Sequence, residues 1–100
     1  MFAIIFLASH EVMREFILAD DTVELATAQL KAGRYTATAP IAVDVGGEEG
    51  AEEMFDLTNN PSRQEEREDK YGRGRSVSTG DIVCINGDMF VCCSMGWKKL

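Results

Sequence analysis

The sequence has few of the residues that carry metal, redox or nucleophilic chemistry. Its 100 residues include one histidine, three cysteines and one tryptophan. A structural zinc site takes four ligands, and His10 is the only imidazole, so no ligand spacing predicts a metal centre. An odd number of cysteines without a secretory signal favours free thiols over a disulfide framework. We therefore expect no metal, no cofactor and no disulfide.

Long hydrophobic runs are also absent. The apolar stretch at residues 1–8 has no Lys or Arg before it. It is far shorter than the ~20 residues with which a helix spans a bilayer. Its content of Ile and Phe predicts a strand that is buried on both faces, at the centre of a sheet. We expect a cytoplasmic protein with no membrane partner.

Basic charge is scarce, with 10 Lys and Arg against 17 Asp and Glu, giving a formal net charge of −7. Nucleic acids and anionic membranes attract proteins through Lys and Arg, so general affinity for either is excluded. Residues 1–56 hold 11 acidic and 3 basic side chains, whereas residues 57–100 hold 6 and 7. This split predicts one acidic face that suits a basic partner, although solvated helix starts would show the same carboxylates.

Two segments have the spacing of amphipathic helices. Residues 21–32 follow acidic capping residues and stop at Gly33, and residues 48–57 combine an apolar stripe with a run of carboxylates. Residues 12–18 fit either a short helix or an edge strand. The wholly polar residues 61–70 fit a solvent-exposed helix or a loop.

The remaining segments are typical of strands. Residues 35–45 alternate in polarity, and Pro40 restricts them to an edge or a bulge. Residues 81–93 form a hairpin, because Asn86-Gly87 supplies the positive φ angles of a type I′ turn. Both arms are so apolar that the hairpin must be covered on two sides or lie at an interface. The sequence therefore predicts one α+β domain, residues 1–100, whose small mixed or antiparallel sheet carries two packed helices and a C-terminal β-hairpin.

Two motifs near the C-terminal end resemble a known family. Residues 74–83 read Gly-Arg-Ser-Val-Ser-Thr-Gly-Asp-Ile-Val, and Phe90-Val91-Cys92 is followed by Ser94-Met95-Gly96-Trp97. This pattern is similar to that of the YodL-like domain of plasmid, transposon and phage accessory proteins. The upstream order of a helix, a Tyr-containing strand and a Glu-rich helix also resembles that family, which supplies no established catalytic residues to carry over.

The resemblance implies a mobile-element setting, in which small acidic proteins often inhibit host defence. We therefore predict an anti-CRISPR protein of the host cytoplasm that binds a type I surveillance complex stoichiometrically and blocks target DNA binding. Its partner would be a protein with a basic, nucleic-acid-binding surface, with no direct contact to nucleic acid. The alternative is a non-enzymatic regulator or a self-associating structural protein of a mobile element, and a homodimer fits either hypothesis.

Candidate partner-binding residues lie in the acidic helix, in the basic loop that follows it, and at the single tryptophan. They are Glu48, Glu49, Glu52, Glu53, Asp56, Arg63, Arg67, Arg73, Arg75 and Trp97. The tryptophan either packs in the core or meets the partner. Ser9 beside His10 does not make a catalytic triad without a third, orienting group, so we expect no enzyme.

Overall fold

The computed structural model describes all 100 residues as one antiparallel sheet of six strands with four α-helices. The elements, in chain order, are β1 (Phe2–Ala8), α1 (His10–Ile17), α2 (Thr22–Lys31), β2 (Tyr35–Ala37), β3 (Ile41–Ala42), α3 (Gly47–Asn59), α4 (Gln64–Lys70), β4 (Ile82–Ile85), β5 (Asp88–Cys93) and β6 (Gly96–Lys99). The predicted α+β class and C-terminal hairpin are confirmed. The helices of residues 21–32 and 48–57 are α2 and α3.

Strand β1 lies inside the sheet, as its apolar sequence predicts. The strand order is β2-β1-β4-β5-β6, and β3 pairs with β1 beside β2. Ala3 and Ile5 point to one side, towards α3, while Ala8 points to the other side, towards α1 and α2. The sheet therefore divides the helices into two layers.

The hairpin of β4 and β5 turns at Asn86 and Gly87, whose φ angles are 52° and 81°. These positive values confirm the predicted type I′ geometry. The chain then turns again at Ser94 and Met95 and adds β6 to the sheet edge. The sequence does not predict β6, because its residues are mostly polar and its turn lacks an Asn-Gly signal.

The two segments left open by sequence analysis are both helical. Helix α1 begins at Ser9, whose hydroxyl accepts a hydrogen bond from the Val12 amide at 3.2 Å, and it buries Val12 and Phe16. A short 3₁₀ turn, Pro61–Arg63, leads into α4, which has no buried residue. Since α4 contributes nothing to the core, its position depends on polar contacts with its neighbours.

Each layer has its own apolar core. Under α3, the side chains of Met54 and Leu57 pack with Ile5 and Ile85 of the sheet. Under α1 and α2, a smaller cluster forms from residues of both helices and of the sheet: Ala8, Val12, Phe16, Ala26, Ile82 and Val91. The predicted covering of the hairpin on two sides is thus provided by α3 on one face and by α1 and α2 on the other.

Candidate functional site

The outward side of α3 is a row of carboxylates. Ala51, Met54 and Leu57 point into the core, so the intervening positions of the helix face solvent. Gly50 lets the helix approach the sheet, because a Cβ there would lie 2.5 Å from the Val45 carbonyl oxygen. We call the outward surface the acidic face; it comprises Asp44, Glu48, Glu49, Glu52, Glu53 and Asp56, and five of these line one shallow depression.

One arginine organises the C-terminal half of the acidic face. Arg63 donates from Nη1 to Glu53 and Asp56, each at 2.8 Å, and from Nε to Glu66 at 2.9 Å. The pKa of the Arg63 guanidinium is raised, and its hydrogen bonds to Glu53 are the largest cause. Arg63, and then Lys70, lower the pKa of Glu66 to about 2. Because Arg63 is bound to three carboxylates, it is part of the acidic face rather than a free cation.

Trp97 supports the same surface from below. Its ring is only 8% exposed and belongs to the core under α3. Its indole Nε1 donates a hydrogen bond to Glu52 Oε2 at 2.9 Å. Of the two alternatives for Trp97, core packing is confirmed and a direct partner contact conflicts with the burial, because the ring fills space between α3 and the sheet. The ring instead fixes the position of one carboxylate.

Arg67 is also used inside the molecule. It donates to the Thr58 carbonyl oxygen at 2.7 Å and to Ser76 Oγ at 3.1 Å, and it bonds the Gly74 carbonyl oxygen as well. Its guanidinium lies over the Tyr71 ring, 5.5 Å from the centroid. These contacts tie α4 to the loop after it, so the predicted partner-binding role of Arg67 competes with a structural one.

Arg75 and Asp81 form a polar centre where the loop enters β4. Asp81 is completely buried and receives Arg75 Nη1 and Nη2 at 2.8 and 2.7 Å. It also accepts the backbone amides of Ala8 and Ser78, both at 2.8 Å. Arg75 further donates to the Ala8 carbonyl oxygen at 2.9 Å. Its predicted role as a partner contact therefore competes with a structural one, because the Asp81 carboxylate, which cannot reach water, needs this cation.

Arg73 alone among the four predicted arginines is exposed and makes no ion pair or side-chain hydrogen bond. The sequence signal that could have separated it from Arg75 is Asp81, six positions after Arg75. An acidic residue immediately before an apolar strand is a candidate for burial, and buried carboxylates require charged or hydrogen-bonding partners.

The negative charge is concentrated in a shorter segment than residues 1–56. Residues 44–70, from the start of the acidic face to the end of α4, contain ten acidic and three basic side chains. Their balance of −7 equals that of the whole chain, so the remaining residues are neutral together. Residues 57–100 are nearly neutral in total, but four of their six carboxylates, Glu65, Glu66, Glu68 and Asp69, lie in α4.

Ser9 and the most buried cysteine, Cys92, occupy structural positions. Ser9 caps α1 through its hydroxyl, which accepts a hydrogen bond from the Val12 amide. Burial, followed by the nearby Asp81 charge, raises the pKa of the Cys92 thiol to about 12, so it is protonated at neutral pH. No three His, Cys, Asp or Glu side chains are arranged to hold a metal ion, and no helix combines the length and apolar character needed to cross a membrane.

Comparisons with protein-family models, curated proteins and solved structures find no match for this chain. The resemblance to the YodL-like domain stays a prediction. The acidic face is therefore the candidate site on physical grounds alone.

Proposed function

We propose that the protein is an anti-defence protein of a phage or another mobile element, an anti-CRISPR that acts in the host cytoplasm without catalysis. The acidic face binds the basic target-DNA path of a type I surveillance complex and blocks DNA binding. The observation that supports this proposal is the concentration of the whole net charge in residues 44–70, on one side of the sheet.

The density of charge on α3 suits a surface that normally holds nucleic acid. Five carboxylates lie between Glu48 and Asp56, a helical length of about 12 Å. One strand of B-DNA carries about three to four phosphates over that length. The acidic face is thus comparable with one nucleic-acid strand in charge per unit length, and a positive groove would attract it for the same electrostatic reason.

Several of these carboxylates are held in place before binding. Glu53 and Asp56 are fixed by Arg63, and Glu52 is fixed by the buried Trp97. A charge that is already ordered loses less conformational entropy on association than one on a free side chain. In contrast, Glu48 and Glu49 make no ion pair and remain available for a partner's basic residues.

The direct test uses a purified type I surveillance complex and its target duplex. At saturating concentration, the protein should co-purify with the complex and abolish binding of the duplex, with a loss of affinity as salt screens the contact. Intact DNA binding by the saturated complex would overturn the proposal.

A charge-reversal pair with a matched control locates the contact. Glu48→Lys with Glu49→Lys changes two exposed carboxylates in the first turn of α3, and we expect inhibition to weaken by at least about tenfold. Asp20→Lys with Glu24→Lys makes the same charge change at the start of α2, on the other side of the sheet. The control pair should inhibit as the unchanged protein does, and equal weakening by both pairs would contradict a specific acidic face.

The alternative, a non-enzymatic regulator or self-associating protein of a mobile element, predicts a different result in cells. Expression of the anti-CRISPR should restore plating of a phage that a type I system targets. Failure in several type I systems would favour the alternative.

A further inference from the structure

The Arg63 guanidinium uses every one of its N–H groups inside the molecule. Its Nη1 donates to Glu53 Oε1 and Asp56 Oδ2, each at 2.8 Å, and its Nη2 donates to Glu53 Oε2 and Glu66 Oε2, each at 2.9 Å. Its Nε donates to Glu66 Oε1 at 2.9 Å. These five hydrogen bonds use all five donors of a guanidinium, so Arg63 is bound as an arginine of another protein would be.

The carboxylates of α3 that hold Arg63 can be reached from solvent. The side chains of Glu53 and Asp56 are 36% and 47% exposed, whereas the side chain of Arg63 is 19% exposed. Ion pairs at such positions contribute little to stability, because water and salt screen them. A basic side chain of a partner can therefore compete with Arg63 for both carboxylates.

Helix α4 follows Arg63 and has no apolar anchor of its own. None of its residues, Gln64–Lys70, is buried. In the middle of the helix, Arg67 donates to the Thr58 carbonyl oxygen and to Ser76 Oγ. Arg63 is therefore the link between the acidic face and the start of α4. Its release would free that end of the helix, while Arg67 keeps the rest attached.

An unpaired carboxylate of α3 lies beside the paired ones. Glu49 makes no ion pair, and it lies one turn before Glu53 on the same side of the helix. A basic segment of a partner that first meets Glu49 would thus place its next basic side chain near Glu53 and Asp56. The competitor would then be present at high local concentration, which favours displacement of Arg63.

We infer that Arg63 is an autoinhibitory contact: it occupies Glu53 and Asp56 in the free protein, and an arginine of the basic partner displaces it. This inference rests on the proposed role of the acidic face and adds how that face is regulated. The apparent affinity for the partner's arginine equals the intrinsic affinity multiplied by the fraction of molecules in which Arg63 has left. Removal of Arg63 should therefore strengthen binding.

Binding of a fluorescent tetra-arginine peptide tests the inference without a surveillance complex. We expect Arg63→Gln to bind the peptide at least about fivefold more tightly than the unchanged protein does. Lys70→Gln is the matched control, because it removes the same charge from a residue that pairs with Glu66 alone and leaves Glu53 and Asp56 occupied. The control should change the affinity by no more than about twofold. No gain in Arg63→Gln, or an equal gain in both variants, would overturn the inference.

NMR of the unchanged protein provides a measurement that needs no substitution. The Nε proton of Arg63 is bonded to Glu66, so its signal should differ from that of an exposed arginine such as Arg73. Saturation with tetra-arginine should move the signal to the exposed-arginine position as Arg63 leaves. Saturation that leaves the signal in place would overturn the inference, and so would a peptide that binds neither the unchanged protein nor Arg63→Gln.

The autoinhibitory contact and the proposed function fail in different ways. If the protein blocks DNA binding by a type I complex but tetra-arginine does not move the Arg63 signal, only the autoinhibitory contact is overturned. If tetra-arginine displaces Arg63 but no type I complex is inhibited, the contact stands and the proposed partner is wrong.

Discussion

Arg63 and Arg75 both bind carboxylates, but the two ion-pair regions differ in burial and in the parts of the chain that they connect. Arg63 lies among partly exposed acidic residues and leaves an excess of negative charge around it. Arg75 meets the completely buried Asp81, and the pair is joined to β1 by two further hydrogen bonds. The same ion-pair chemistry thus orders carboxylates at the surface in one region and connects distant parts of the chain in the other.

Removal of the buried carboxylate should have the largest effect. Asp81→Ala leaves the Arg75 guanidinium without its anion and the Ala8 and Ser78 amides without their acceptor. We expect the free energy of unfolding to fall by about 3–5 kcal/mol, measured by urea denaturation. Asp88→Ala, which removes an exposed pair with Lys99, should cost no more than about 1 kcal/mol. Similar losses for both variants would show that the buried ion pair contributes no more to stability than an exposed one.

The glycine beside the polar centre should be the next most sensitive position. Gly80 has a φ of 94°, and a Cβ there would lie 2.6 Å from Phe16 Cδ2. Gly80→Ala therefore adds both backbone strain and a clash with α1, and we expect a loss of about 2–4 kcal/mol. Gly33 also has a positive φ, of 71°, but a Cβ there would meet no atom within 4 Å. For Gly33→Ala we therefore expect the free energy of unfolding to fall by only about 1–2 kcal/mol. Equal denaturation midpoints for the two variants would contradict the contact with Phe16.

The smallest effect is expected at the surface arginine. Arg63→Met should lower the free energy of unfolding by about 1 kcal/mol or less, because its partners are largely solvated. The more sensitive measurement is the pKa of the Glu66 carboxyl, followed by NMR titration. Since the folded pKa of about 2 lies below the ordinary glutamate value of 4.5, the contribution of this carboxylate to stability is present above pH 4.5 and lost as pH falls towards 2. In Arg63→Met the pKa should return towards its ordinary range, and an unchanged value would show that Lys70 alone is sufficient.

The elements that sequence analysis predicted well are those with strong local signals. Asn86-Gly87 determines the hairpin turn, and Asp21 caps α2 with its carboxylate 3.0 Å from the Glu24 amide. The central position of β1 follows from its unbroken apolar character. In each case a few neighbouring residues contain the physical reason for the element, so no knowledge of distant contacts is needed.

The roles of the arginines could not be predicted because they depend on tertiary contacts. Arg73 and Arg75 lie in the same glycine-containing loop, and only the approach of β1 and β4 separates an exposed, unpaired cation from one that is paired with a buried carboxylate. For Trp97, the sequence leaves core packing and partner contact open, because the residue lies between a glycine and two lysines. The cover that α3 provides is a tertiary contact, and it decides for core packing.

The polar centre also determines when the sheet can close during synthesis. The Ala8 amide and its acceptor Asp81 are 73 positions apart in the chain. At typical rates of about 5–20 residues per second, β1 waits roughly 4–15 seconds for this partner and for β4. Throughout that interval β1 lacks its main neighbour, and the carboxylates of α3 and α4 are added in the second half of it. The acidic segment therefore precedes β4 out of the ribosome, and its negative charge opposes association between incomplete chains.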